Sequence, residues 1–248
     1  MQYAICNLGT VPLRAEPAHT SEMVSQLLYG ETYKILEERA KWSRIRTSFE
    51  ALEAWIDNKQ LFKITELEYE KLKNEDLQLS ADLMEFVTGE GLLIPIPIGS
   101  VLNGVALLKH QHSGAIATGS QSKEKLIETA FLYLNAPFLW GGKSPMGIDA
   151  SGFTQMVYKL NGYKLSRNAA EQAQQGDSLS FIEESEPGDL AFFDGPDGVI
   201  NHVGIIMTDN YIIHADGKVR LDRLDHSGIY NSDLRRHTHK LRVIKKII

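Results

Sequence analysis

A chain of 248 residues, 43% hydrophobic and 23% charged, is long enough for one large domain or for two or three small ones, each with its own core. A formal net charge of −6 argues against nucleic acid as a partner, because phosphate binding needs a basic surface. No apolar run reaches the ~18 residues a membrane span requires, and the single Cys6 excludes an internal disulfide.

Residues 2–10 have neither the basic start nor the long apolar stretch of a secretory leader, so the expected compartment is the cytoplasm. Export is the alternative if a leader has been removed. No Cys/His group has zinc-site spacing, and neither a metal nor another cofactor is expected.

Residues 1–65 read as all-β. Short apolar runs around Ile5, Leu13, Leu27, Ile35, Ile45 and Ile56 alternate with turn signals such as Gly30-Glu31. Trp42 and Trp55 are expected in core or edge packing. In residues 66–121 a charged stretch rich in helix formers gives way to Gly89, Gly91, Pro95, Pro97 and Gly99. Residues 92–108 are expected to supply two or three strands of a second small β unit, and residues 109–121 a polar ending or link. His110 and His112 stand two apart with no third ligand nearby and read as a solvated loop.

Residues 122–248 read as a third domain. Ser122 caps a helix whose apolar face is Leu126, Ile127, Ala130, Phe131 and Leu134. A Gly/Pro-rich loop over residues 141–147 ends at Asp149. Phe153, Met156, Val157 and Leu160 then fall at i, i+3, i+4 and i+7, one face of a helix that Gly162 ends. Ser166 is expected to cap a third helix over residues 167–175. Residues 189–193, 202–207, 211–215 and 219–221 are rich in β-branched and aromatic side chains and read as strands. Turns at 194–198 and 208–210 separate them. Helices first and an antiparallel sheet after them describe an α+β domain. The basic residues at 235–237 and 245–246 read as a solvated face.

Position 150 therefore lies at a helix N-terminus, where unpaired N–H groups and the positive dipole end converge. A cysteine there would have a lowered pKa and react as a thiolate. What stands there is Ala150.

Trp140-Gly141-Gly142, then Asp149-Ala150-Ser151-Gly152-Phe153, then His202-Val203-Gly204-Ile205 resemble the NlpC/P60 family of bacterial cell-wall peptidases. The family pattern is D-C-S-G-[FL] with a later H-[VS]-G-[IV], and every element except the cysteine is present. The first 65 residues, with P-L-R-A-E-P, G-E, W-S-R-I-R and A-W-I in order, resemble a bacterial SH3 domain. Together they are similar to the papain-like γ-D-glutamyl-L-diamino acid endopeptidases, in which one or two SH3 domains precede the catalytic domain.

The resemblance implies a papain-like fold for residues 122–248 and a second, degenerate SH3-like unit for residues 66–121. It implies murein peptides of the form L-Ala-γ-D-Glu-diamino acid as the partner, and a place in murein recycling. Ala150 takes the nucleophile position, His202 the general base and His214 the residue that orients it. The backbone N–H of residue 150 joins the oxyanion hole. Asp149 either supplies helix N-terminal charge or grips the free amine of the substrate's L-alanine, with Ser151 as a neighbouring polar contact. Trp140 is a pocket wall or a packing residue. Arg167-Asn168 stands where relatives carry Arg-Asp, and Leu52-Glu53-Ala54-Trp55 lacks a tyrosine that relatives place before it. Asp189 reads as a turn residue.

Ala150 has two readings. One is a cysteine peptidase disabled by engineering, since both histidines and Asp149 survive. The other is a natural pseudoenzyme that binds or senses murein peptides, favoured by Asn168 and the altered 52–54 run. A third keeps the fold and changes the reaction to acyl transfer. On every reading the chain as written has no hydrolytic turnover beyond a small residual rate.

Overall fold

The computed structural model describes residues 2–248. The chain divides into two compact units. The first runs through Gly119 and takes in Trp140–Pro145, and the second comprises Ser120–Leu139 and Met146–Ile248.

In the first unit, strands β1 (Gln2–Ile5), β2 (Thr10–Arg14), β3 (Met23–Leu28), β4 (Thr32–Glu38), β5 (Trp42–Thr47), β6 (Glu53–Asp57) and β7 (Lys63–Ile64) form one antiparallel sheet. Its order is β3-β2-β6-β5-β4-β1-β7. Buried and open positions alternate along β2 and β5, as a strand with one face on a core requires. Val11, Leu13, Leu27, Ile45 and Ile56 meet inside. Cys6 is buried among them and donates its S–H to the carbonyl of Leu8 at 3.2 Å. Burial pushes its thiol up to about 12, so it is neither a thiolate nor accessible. Trp55 is buried and carries the Arg39 guanidinium 4.3 Å from its ring centroid, which agrees with a packing role.

The rest of this unit begins with α1 (Glu66–Asn74), started by a capping box in which Thr65 and Glu68 satisfy each other's backbone N–H. Strands β8 (Gln78–Ser80), β9 (Met84–Gly89), β10 (Leu92–Pro97), β11 (Gln111–His112) and β12 (Ile116–Thr118) make two small sheets, β10-β9-β11 and β12-β8. Only β10 comes from residues 92–108; the remainder turns back on itself. The expected polar link at 109–121 contains two strands. Val87, Ile96 and Leu102 share a buried cluster with Ile5 and Tyr29, so residues 66–119 complete a core begun by the first strands. His112 is half-buried and paired into β11, where a solvated loop was expected.

Trp140–Pro145 is held to this unit by buried polar contacts. The Lys143 ammonium lies 3.2 Å from Glu31 Oε1 and 3.7 Å from Glu50 Oε1, all three side chains being buried. The Lys143 N–H donates to Gln26 Oε1 at 2.8 Å. Gly141 has φ 78°, and a Cβ there would stand 2.2 Å from the Met23 carbonyl oxygen, so only glycine fits. Two-residue strands follow at β13 (Lys143–Ser144) and β14 (Gly147–Ile148).

The second unit holds α2 (Lys123–Leu132), α3 (Ala150–Leu160) and α4 (Ala169–Gln172), then β15 (Asp177–Leu179), β16 (Leu190–Asp194), β17 (Ile200–Ile206), β18 (Tyr211–Asp216), β19 (Lys218–Asp225), β20 (Gly228–Asn231) and β21 (Arg236–Lys246). The sheet order is β15-β21-β16-β17-β18-β19-β20, and β20 pairs back onto β21, so six antiparallel strands close on themselves. Closure leaves no free edge among those six. The unit is α+β, with α3 packed on β17 and β18. The basic stretch near the end is largely exposed as expected, but it is an 11-residue strand.

The third helix is one turn, Ala169–Gln172, with Asn168 rather than Ser166 at its N-cap and no side-chain cap bond. Glutamine side chains compete for the flanking backbone. Gln172 donates to the Ser166 carbonyl and Gln175 to that of Lys164, while the Ser166 N–H donates to Gln175 Oε1. No helix among the described residues is long and apolar enough to cross a membrane.

Candidate active site

Ala150 is the first residue of α3 and is 6% exposed. Asp149 is the N-cap, and its Oδ1 accepts the Gly152 N–H at 2.7 Å. The same carboxylate is gripped from the other side by Arg167, whose Nη1 donates to Oδ1 at 2.9 Å and Nη2 to Oδ2 at 2.7 Å. Arg167 Nη1 also reaches Ser151 Oγ at 3.1 Å. Both charges are buried, and a two-pronged bond of this kind fixes distance and plane together. Asp149, Ser151 and Arg167 thus form one cluster at the helix start. Behind it, Gln172 donates to the Ser151 carbonyl and accepts from Thr154 Oγ1, which ties α4 to α3.

His202 on β17 and His214 on β18 meet as the hairpin suggests. Gly204 pairs with His214 in register, so residues 202, 204 and 214 share one face. Gly204 has a steric reason: a Cβ there would lie 2.9 Å from the His214 Cβ and 2.7 Å from Ile212 Cδ1. His202 Nε2 is 2.8 Å from His214 Nδ1, and His214 Nε2 is 3.0 Å from Asp222 Oδ2 on β19. Arg220 holds the other oxygen of that carboxylate, its Nη2 donating to Oδ1 at 3.0 Å.

Hydrogen-bond polarity sets the protons in this chain. An ionised Asp222 only accepts, so His214 Nε2 carries a hydrogen. In the neutral ring, His214 Nδ1 then accepts from His202 Nε2–H. That leaves the lone pair of His202 on Nδ1, the nitrogen turned away from the chain, as a general base requires.

Burial drives the His202 pKa well below the usual histidine value, with the charges of His214 and His239 adding to the effect. Burial works upward on Asp222, but the bonds from His214 and Arg220 outweigh it and keep the carboxyl below its ordinary range. His239 on β21 stacks on His202, ring centroids 4.0 Å apart, and its pKa is also lowered, first by burial.

Trp140 is 58% exposed in the first unit, where its indole N–H donates to Glu22 Oε1 at 2.6 Å. Asn168 is exposed. Asp189 is buried and accepts from Lys123 Nζ and the Glu186 N–H, the second within its own turn. The sequence alone assigns no place in the site to Arg167, Asp222, Arg220 or His239. A signal existed for Asp222: it lies two residues from the strand partner of His214, within diagonal reach on the same face.

The NlpC/P60 family profile matches residues 135–238, and the bacterial dipeptidyl-peptidase SH3 domain profile matches residues 13–61. The γ-D-glutamyl-L-lysine dipeptidyl-peptidase of Bacillus subtilis (strain 168) is 24% identical over 215 residues, covering 77% of this chain and 71% of its own. Dipeptidyl-peptidase 6 of Lysinibacillus sphaericus is 28% identical over 257 residues, covering 90% and 92%. The crystal structure of an NlpC/P60 family protein from Bacillus cereus ATCC 10987 has the same fold, with a TM-score of 0.82 at 17% identity over 99% of each chain. Motifs, fold and homology agree that this chain carries an NlpC/P60 domain preceded by a bacterial SH3 domain.

Proposed function

We propose that position 150 is the nucleophile position of a cysteine peptidase acting on cell-wall peptides, and that the chain as it stands binds such peptides without cleaving them. The observation that carries this reading is the intact relay His202–His214–Asp222 in a unit whose helix start bears alanine. Cys6, the only thiol, is buried and protonated and offers no substitute.

With cysteine at 150, His202 Nδ1 takes the thiol proton and the thiolate attacks the γ-carbonyl of D-glutamate. The carbonyl oxygen becomes an oxyanion that the backbone N–H of residue 150 stabilises. The C–N bond then breaks, the diamino acid amine leaves with the proton held by His202, and water hydrolyses the thioester. His214 is a positioning residue, anchored by Asp222. The substrate is L-Ala-γ-D-Glu-diamino acid with a free N-terminus, a reading supported by the buried carboxylate of Asp149 beside position 150, whose charge suits an ammonium.

The test is Ala150→Cys assayed on L-Ala-γ-D-Glu-meso-diaminopimelate and its N-acetylated twin. Cleavage of the first and little of the second is expected. A folded variant inert on both would defeat the peptidase reading. The natural-pseudoenzyme reading draws on exposed Asn168, where relatives have a carboxylate. It predicts an alanine codon in the genome, whereas the engineered reading predicts cysteine. We place the protein in the cytoplasm, on recycled murein fragments.

A further inference from the structure

We propose that His202, His214 and His239 form a binding site for a divalent transition metal, zinc foremost, with Asp222 as the carboxylate behind one ligand. The thiol chemistry above uses the first two rings and leaves His239 without a part. Yet one ring nitrogen of each of the three lies within 4.8 Å of the others.

Tetrahedral zinc holds imidazole nitrogens at about 2.0–2.1 Å, which sets ligand nitrogens roughly 3.4 Å apart. His202 Nε2 and His214 Nδ1, now 2.8 Å apart, need only separate slightly. His239 Nδ1 is bonded to Thr238 Oγ1 at 2.9 Å, so Nε2 is the nitrogen left for a metal. His239 is the half-buried member of the set and lies stacked on the face of His202, so a metal site requires its ring to turn until Nε2 faces the other two nitrogens.

Two chemical features favour a metal over a merely packed cluster. His214 donates its other N–H to a carboxylate, the outer-shell partner that metal-bound histidines almost always have. Nitrogen ligands suit zinc, copper, nickel and cobalt and disfavour magnesium and calcium. Three protein ligands leave a fourth position open to water. On binding, the proton of His202 Nε2 moves to Nδ1, so the metal and the base function proposed for His202 exclude each other.

The experiment uses the full chain with Ala150, stripped with chelator and dialysed. Zinc is titrated by calorimetry and cobalt(II) by visible absorption. Expected are one metal per chain, the intense visible bands of tetrahedral cobalt, and an unfolding midpoint that rises with zinc. His239→Gln and Asp222→Asn should each weaken binding at least about tenfold with unchanged circular dichroism. His226→Gln, an exposed histidine paired with Glu183, should not alter it. Failure to bind one equivalent at micromolar zinc would overturn the proposal, as would an affinity in His239→Gln within threefold of the unsubstituted chain. The readout is metal, not hydrolysis, so an inert Ala150→Cys would leave this site standing, and a missing metal would leave the peptidase reading standing.

Discussion

Removing the Asp149 carboxylate should be among the most damaging single changes in the second unit. In Asp149→Ala the Gly152 N–H loses its cap acceptor, a loss of about 1 kcal/mol. Arg167, 2% exposed, loses its two-pronged bond to Asp149. Breaking a buried ion pair from one side costs about 3–5 kcal/mol, because the remaining charge stays desolvated. The two losses overlap, and a total near 4 kcal/mol is expected. Urea unfolding followed by circular dichroism measures it. The companion Arg167→Met should cost a similar amount, while the double variant Asp149→Ala with Arg167→Met should cost much less than the sum, with a coupling of at least about 2 kcal/mol. Asn168→Ala, next along the chain but exposed and uncapped, should stay within about 0.5 kcal/mol. If Asp149→Ala costs under about 1 kcal/mol, or the pair proves additive, the carboxylate is not holding the arginine and the account of this helix start is wrong.

Stability should fall as pH drops from about 6.5, the unperturbed histidine value. His202 and His239 have lowered pKa values in the folded chain, so between 6.5 and those values only the unfolded state takes up the protons. Each such group contributes a slope of up to about 1.4 kcal/mol per pH unit, and His202→Gln should flatten the urea-midpoint profile between pH 7 and 5. An unchanged profile would count against buried neutral rings. Gly204→Ala should lose about 1–3 kcal/mol through collision with His214 and Ile212, read as a lower urea midpoint. Lys143→Met should lose about 3–5 kcal/mol by stranding the carboxylates of Glu31 and Glu50; a loss under 1 kcal/mol would show that water reaches them.

The helix start at 150 was legible because apolar spacing and a capping aspartate are local signals. The His202–His214 pair was legible through the motif flanking His202 and the resemblance it carries, while the short hairpin only allowed the two rings to share a face. Asp222 and His239 were not assigned. His239 comes to His202 because β21 pairs with β16, the neighbour of β17, a long-range pairing with no local mark. Arg167 was read with its neighbour Asn168, while its carboxylate lies 18 residues upstream. The strand at 236–246 was hidden by its own charges, because a strand with few buried positions lacks the alternation that reveals one. Residues 66–119 place their sparse apolar side chains in a cluster shared with Ile5 and Tyr29, a long-range contact that no local pattern marks.

The deep seat of Cys6 has a practical side. With its sulfhydryl shut away from solvent, the folded chain should ignore maleimides and iodoacetamide until denaturant opens it. A cysteine installed at 150 would then be the sole target for such reagents. Mass spectrometry would read one added label on that variant and none on the unsubstituted chain. A fluorophore or spin probe could thus be fixed at the helix start with no background to subtract.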